Sequence, residues 1–243
     1  MNAISASHAS SSPAPPATHR ILVWDVPVRV FHWLMVASFA GAYLTAESER
    51  WRLLHVTLGY TMAGLVGFRI FWGLVGTRYA RFSSFLRGPQ AIARYLKSLV
   101  SGKPEHHTGH NPAGALAILA MLLLTLAVTA SGWAVYNDVA GKWLEETHEV
   151  AANVMLTVIG VHIVAVLVSS WLHHENMVGS MISGRKPGRP EEGVRRAWTS
   201  VALLMLAAVV SFWWLQWQSA PPAGAGADQP VVSAKAARHD RHD

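Results

Sequence analysis

The sequence predicts an all-α integral membrane protein: a four-helix transmembrane bundle with a fifth transmembrane helix at its C-terminal end. Three observations carry this. Only 14% of the 243 residues are charged and 51% are hydrophobic, whereas a soluble domain carries about a quarter charged residues. Five stretches approach the roughly twenty apolar residues needed to cross a bilayer, at 28–46, 53–76, 112–134, 147–171 and 197–217. The basic residues gather in alternate connections.

Residues 1–20 are Ser-, Ala- and Pro-rich without an apolar h-region, so they read as a disordered tail and not as a cleaved signal peptide. The first span then acts as the signal anchor. A short loop (TAESERWR) leads to the second span. The next connection carries Arg78, Arg81, Arg87, Arg94, Lys97 and Lys103. Asn111 before Pro112 is an N-cap followed by proline at the first helical position, which opens the third span. The loop to the fourth span sets one lysine, Lys142, against Asp138, Glu145 and Glu146. A second basic loop with Arg185, Lys186, Arg189, Arg195 and Arg196 precedes the fifth span, and residues 219–243 read as a second disordered tail.

With Arg20 and Arg29, thirteen of the twenty Lys and Arg residues fall on one side. This positive-inside pattern places the N-terminus and both basic loops in the cytoplasm and the C-terminus in the periplasm. The eleven tryptophans cluster near span ends, as an aromatic belt would. The net charge of +6 therefore serves topology, and a nucleic-acid partner is not expected. Anionic lipid or an acidic partner is the lesser alternative for those loops. The absence of cysteine excludes disulfides, thiolate metal sites, iron–sulfur ligation and covalent haem attachment.

Four of the thirteen histidines lie in apolar spans: His32, His55, His148 and His162. An ionisable group in a membrane span is expensive and marks function, although a single histidine can also serve as a structural hydrogen-bonding group. Depth pairs the four. The first span enters from the cytoplasm with His32 near its start, and the second enters from outside with His55 near its start. The fourth also enters from outside, with His148 at its mouth and His162 fourteen residues on. Fourteen residues amount to about 21 Å and nearly four turns, so both side chains leave roughly one face. His32 and His162 share the inner level, His55 and His148 the outer.

Two histidines at one depth on facing helices can ligate one haem iron axially. Zinc or copper would need three or four converging donors. Two b-type haems, each bis-histidine, are the better account. A histidine-lined metal transporter is the alternative from another class. Gly59, Gly64 and Gly67 on the second span and Gly160 near His162 leave room for a flat ring, or serve ordinary helix packing. Haem propionates need cationic partners: Arg29, Arg69 and His110 at the inner level, Arg50, Arg52 and Lys142 at the outer. Arg69 is the basic residue inside an apolar window (GLVGFRIFWGL), with snorkelling as its alternative. His106, His107 and His110 (EHHTGHNP) could serve a quinone site or simply a loop and cap.

These histidines, in this order and with this gap, resemble the bacterial di-haem cytochrome b family. That family includes the membrane subunits of nickel–iron hydrogenases and formate dehydrogenases, and the bacterial cytochrome b-561 proteins. WDVPVRVFHW at 24–33, LLHVTLGY at 53–60, FRIFWGLVGTRYARFSSFL at 68–86, HNPAGA at 110–115, THEVAANVML at 147–156 and MISGRKP at 181–187 carry the likeness, over residues 21–187. It implies the same pairing of His32 with His162 and His55 with His148. The family core has four helices, so the basic loop and fifth helix at 188–218 depart from it.

The expected function is electron transfer across the bacterial inner membrane, between a partner redox protein (a redox subunit or cytochrome c) and the quinone pool. The alternative is a stand-alone superoxide-oxidising, quinone-reducing enzyme of the cytochrome b-561 branch. Without cysteine or a nucleotide-binding motif, any hydrogenase or dehydrogenase centre must belong to another polypeptide.

Overall fold

A computed structural model describes residues 19–86, 88–101, 109–139 and 141–219. Arg87, Lys103, His106, His107 and nearly all of the two tails lie outside these described residues.

Asp25, with its side chain accepting from the Val28 amide at 2.9 Å, caps α1 (Val26–Thr45). α2 (Arg52–Val75) follows a single 3-10 turn and ends at Gly76. A shorter helix, α3 (Pro89–Val100), lies within the first basic connection, where only a loop was expected. As the sequence predicts, Asn111 caps α4 (Pro112–Tyr136), accepting from the Gly114 amide at 2.7 Å. α5 (Lys142–Leu172) begins five residues before the predicted span, which seats His148 in its second turn and not at a mouth. After α6 (Met177–Ser183), Gly184 at φ +77° reverses the chain. The last stretch predicted to span forms α7 (Thr199–Gln218).

Among the described residues, four helical segments are long and apolar enough to cross a membrane: Glu49–Val75, Pro112–Tyr136, Lys142–Leu172 and Thr199–Gln218. α1 is not among these four, because Pro27, Arg29 and His32 in its first half dilute its apolar content. Its length of twenty residues nonetheless matches a bilayer core.

α1 packs on α2, α2 on α4 and α4 on α5, while α7 lies against α1 and α2. α5 makes no comparably close backbone packing with α1 or α2. Side chains bridge that gap instead. The Tyr43 hydroxyl donates to Asn153 Oδ1 at 3.0 Å, and Phe39, Met62 and Met155 form a buried cluster with Met35, Met121, Leu124 and Ile159 around it.

At one end of the bundle, strand β1 (His19–Leu22) pairs antiparallel with β2 (Arg185–Gly188), His19 opposite Gly188. The strand starts two residues inside the stretch expected to be a disordered tail. The Val23 and Trp24 amides both donate to the Gly184 carbonyl, at 2.8 and 3.0 Å. Lys186, 4% exposed, forms an ion pair of 3.0 Å with Glu175. This two-stranded sheet thereby ties the start of α1 to the end of α5, elements far apart in sequence. Trp24 and Trp72 depart from the predicted aromatic belt: both are buried in this end of the bundle, whereas the other nine tryptophans are exposed.

Candidate functional site

The outer histidines meet. The rings of His55 on α2 and His148 on α5 have centroids 6.2 Å apart and planes at 75°. Each is oriented by a neighbouring helix. His55 Nδ1 lies 2.8 Å from the Ala42 carbonyl of α1. His148 Nδ1 lies 3.0 Å from the Val128 carbonyl of α4 and 3.2 Å from Ser131 Oγ. A carbonyl only accepts, so each Nδ1 carries a proton and donates it, which in a neutral ring leaves the lone pair on Nε2. That is the tautomer a metal-ligating histidine requires.

Gly132 completes the seat of His148. A Cβ added there would meet the ring at 2.8 Å from Cε1. The four glycines read from the sequence behave differently: nothing lies within 4 Å of a Cβ built at Gly59, Gly64, Gly67 or Gly160. They are not close-packing points; within the long helices the close approaches include Gly132, Gly41 beside Leu58 and Gly73 beside Phe82.

At the inner level, His162 is in electrostatic range of both His32 and His110. His32 is packed edge-on against Trp33, with centroids 5.0 Å apart. His110 sits between Trp24 and Phe85, at 4.4 and 4.9 Å. Arg29 Nη1 donates to the Ile182 carbonyl at 2.6 Å. Arg69 is 3% exposed, with its guanidinium 4.8 Å from the Phe82 ring centroid. Behind it lies Asp25, 1% exposed, whose Oδ2 accepts from Trp72 Nε1 at 3.0 Å and from Thr77 Oγ1 at 2.6 Å.

Buried polar atoms without a partner are concentrated here. Among the described residues they are Arg29 Nε, His32 Nδ1, Arg69 Nη1 and His110 Nδ1, with Ser38 Oγ as the remaining one. Native proteins leave few such atoms, each with a cause. Burial, then the charges of Arg69, Lys186 and His162, push His110 down to about 3, so its ring is neutral at physiological pH. The inner level is thus a cationic enclosure with donors to spare. Outer-level Arg50, Arg52 and Lys142 are exposed; Arg50 lies over Trp51, and Arg52 is 3.9 Å from Glu49 and over Tyr136.

Between the levels lies the Phe39–Met62–Met155 cluster. Phe39 follows His32 by seven residues and Met62 follows His55 by seven. Met155 is seven residues from both His148 and His162. Among the described residues, no three His, Asp or Glu side chains converge as a metal-ion cage would require.

Residues 23–184 match the family of prokaryotic cytochrome b561. The chain belongs to that family. Similar proteins include a "Probable Ni/Fe-hydrogenase B-type cytochrome subunit" of Rhizobium leguminosarum bv. viciae, 23% identical over 213 residues, or 68% of this chain and 88% of the relative. Its namesake in Rhodobacter capsulatus is 23% identical over 214 residues, covering 68% and 81%. The "Probable Ni/Fe-hydrogenase 1 B-type cytochrome subunit" of Escherichia coli K12 is 27% identical over 142 residues, covering 48% and 60%. No solved structure gives a significant match.

A prokaryotic cytochrome b561 is a haem-binding membrane protein of electron transport. The residues here fit that group. The facing rings of His55 and His148, 6.2 Å apart, offer the imidazole nitrogens that would hold such a group. The unpartnered guanidinium nitrogens of Arg29 and Arg69 would suit the carboxylate groups of a haem, with His110 Nδ1 unpartnered beside them. Sequence reasoning singled out the histidines and inner cations but gave no role to Ala42, Val128, Gly132 and Asp25. Only Asp25 left a local signal, as the capping residue of a helix whose second position is proline.

Proposed function

We propose that this cytochrome b561 holds two b-type haems, through His55 with His148 and His32 with His162, and conducts electrons across the inner membrane. The donor or acceptor at one end is a partner redox protein, and at the other the quinone pool. The similarity to nickel–iron hydrogenase B-type cytochrome subunits supports a nickel–iron hydrogenase as that partner. The N-terminal segment and both basic loops lie on the cytoplasmic side, with the end of α7 in the periplasm, in keeping with the positive-inside pattern. α1 then crosses together with the four more apolar helical segments.

Haem b, when bound in such a site, supplies a one-electron couple. The protein's own groups do the rest. The Ala42 and Val128 carbonyls hold the tautomer and ring plane of His55 and His148. Arg29, Arg69 and His110 present donors to propionate at the inner level. Phe39, Met62 and Met155 keep water and ions out of the space between levels, while α5 contributes one ligand to each.

The observation that carries this reading is the facing of His55 and His148 with both Nδ1 atoms committed to backbone carbonyls. A pyridine haemochrome assay on the purified chain tests it. Two haems per chain are expected, with His55→Ala and His148→Ala each losing one and His162→Ala losing the other. A stoichiometry of one, or haem content unaffected by His148→Ala, overturns it.

A further inference from the structure

A cleft of about 370 Å³ opens where the end of α2 meets the start of α7, bordered by Thr77, Arg78, Arg195, Arg196 and Trp198. It is separate from the histidine levels. Three exposed arginines border one small, open space, and among the described residues none has a carboxylate partner. Arg78 lies over the Tyr79 ring, 5.5 Å from its centroid. The nearby acids are committed elsewhere. Glu192 pairs with Arg189 at 3.0 Å, and Glu191 adds its charge to the same arginine. Asp25 lies behind the cleft wall, engaged by Thr77, Trp72 and the Val28 amide.

Three like charges around one space repel one another and leave a positive field that an anion would relieve. Guanidinium forks match phosphate oxygens in pairs. Apolar surface continues from the cleft along both helices: Leu74 and Val75 precede it on α2, and Leu203 and Leu204 follow it on α7, all more than half exposed. Trp198 stands at the boundary between the two surfaces. A basic cleft between transmembrane helices with apolar flanks matches a lipid, headgroup and chains together.

We propose that this cleft binds the phosphate headgroup of an anionic phospholipid, with its acyl chains along α2 and α7. The proposal rests on the helices lying in a membrane and not on the haem reading. Free inorganic phosphate shares the headgroup chemistry but has no use for the apolar flanks. An acidic segment of a partner protein would use the arginines without them as well.

Native mass spectrometry of the full chain in detergent tests the site, comparing phosphatidylglycerol with phosphatidylcholine. The wild type is expected to prefer phosphatidylglycerol by about tenfold or more, given roughly 1 kcal/mol per interfacial basic residue. Arg195→Gln/Arg196→Gln should abolish the preference. Arg20→Gln/Arg185→Gln, which removes the same charge from equally exposed positions on the β1–β2 sheet, should leave it intact. Should the first pair fail to fold, Arg78→Gln and the wild-type comparison still decide the matter. No wild-type preference, or equal loss in the control pair, overturns the proposal. Displacement of the lipid by inorganic phosphate or by polyglutamate at matched concentration also overturns it, in favour of a free-anion site or a protein partner.

Discussion

His55 and His148 face each other with ring centroids 6.2 Å apart, and neither is aimed by its own helix. The carbonyl of Ala42 on α1 aims one, and that of Val128 on α4 aims the other. Four helices therefore converge on the outer level, although only α2 and α5 contribute imidazoles. Helix carbonyls normally accept from within their own helix. Using them as second acceptors fixes a ring orientation without burying another polar side chain.

Gly132→Ala tests this seat. The added methyl would lie 2.8 Å from His148 Cε1, and both the ring and the α4 backbone are held by the Val128 bond. Overpacking of this kind costs about 1–3 kcal/mol. The expected result is loss of about half the bound haem, read by pyridine haemochrome, with the inner site retained. Gly64→Ala, where nothing lies within 4 Å, should keep both.

Arg69→Met removes a buried positive charge from the inner level while keeping the stem. A cation near a haem favours its reduced form, so the midpoint potential of the inner haem should fall, on the order of 50 mV. Arg69→Lys should recover most of it. Redox titration followed at the haem bands gives the answer, and an unchanged potential would place Arg69 in packing alone.

Asp25→Ala strips an acceptor from three donors: the Val28 amide, Trp72 Nε1 and Thr77 Oγ1. Losing the cap costs about 1 kcal/mol, and each stranded buried donor about 1–3 kcal/mol. The thermal midpoint should drop markedly, with inner-haem loss preceding outer-haem loss on heating. Asp25→Asn, which keeps one of the two acceptor oxygens, should be milder.

Thr61→Val removes the acceptor for Trp213 Nε1, a 2.9 Å bond between α2 and α7. Because α7 contributes no histidine, haem content and potentials should stay as in the wild type. Stability should fall by about 1 kcal/mol, seen as a lower thermal midpoint. A change in haem spectrum would mean that the fifth helix shapes the cofactor sites.

Much of this protein is determined by its sequence alone, because a bilayer allows few backbone solutions. Apolar runs of about twenty residues must be helices there, so the spans emerged within a few residues, and the N-cap at Asn111 emerged to the residue. His32, His55, His148 and His162 stood out because ionisable groups are rare in such runs. The fourteen-residue spacing on α5 placed two of them at two depths. The tertiary structure decided what spacing does not encode. It chose the carbonyls of Ala42 and Val128, put Gly132 and not Gly59 against an imidazole, and drew Trp24 and Trp72 inside. It also joined β1 to β2 across more than 160 residues of chain. Backbone carbonyls are the same at every position, and a glycine looks alike whether a ring or open space lies beside it. Those choices depend on which helix faces which, and that is settled by packing between segments far apart in the sequence.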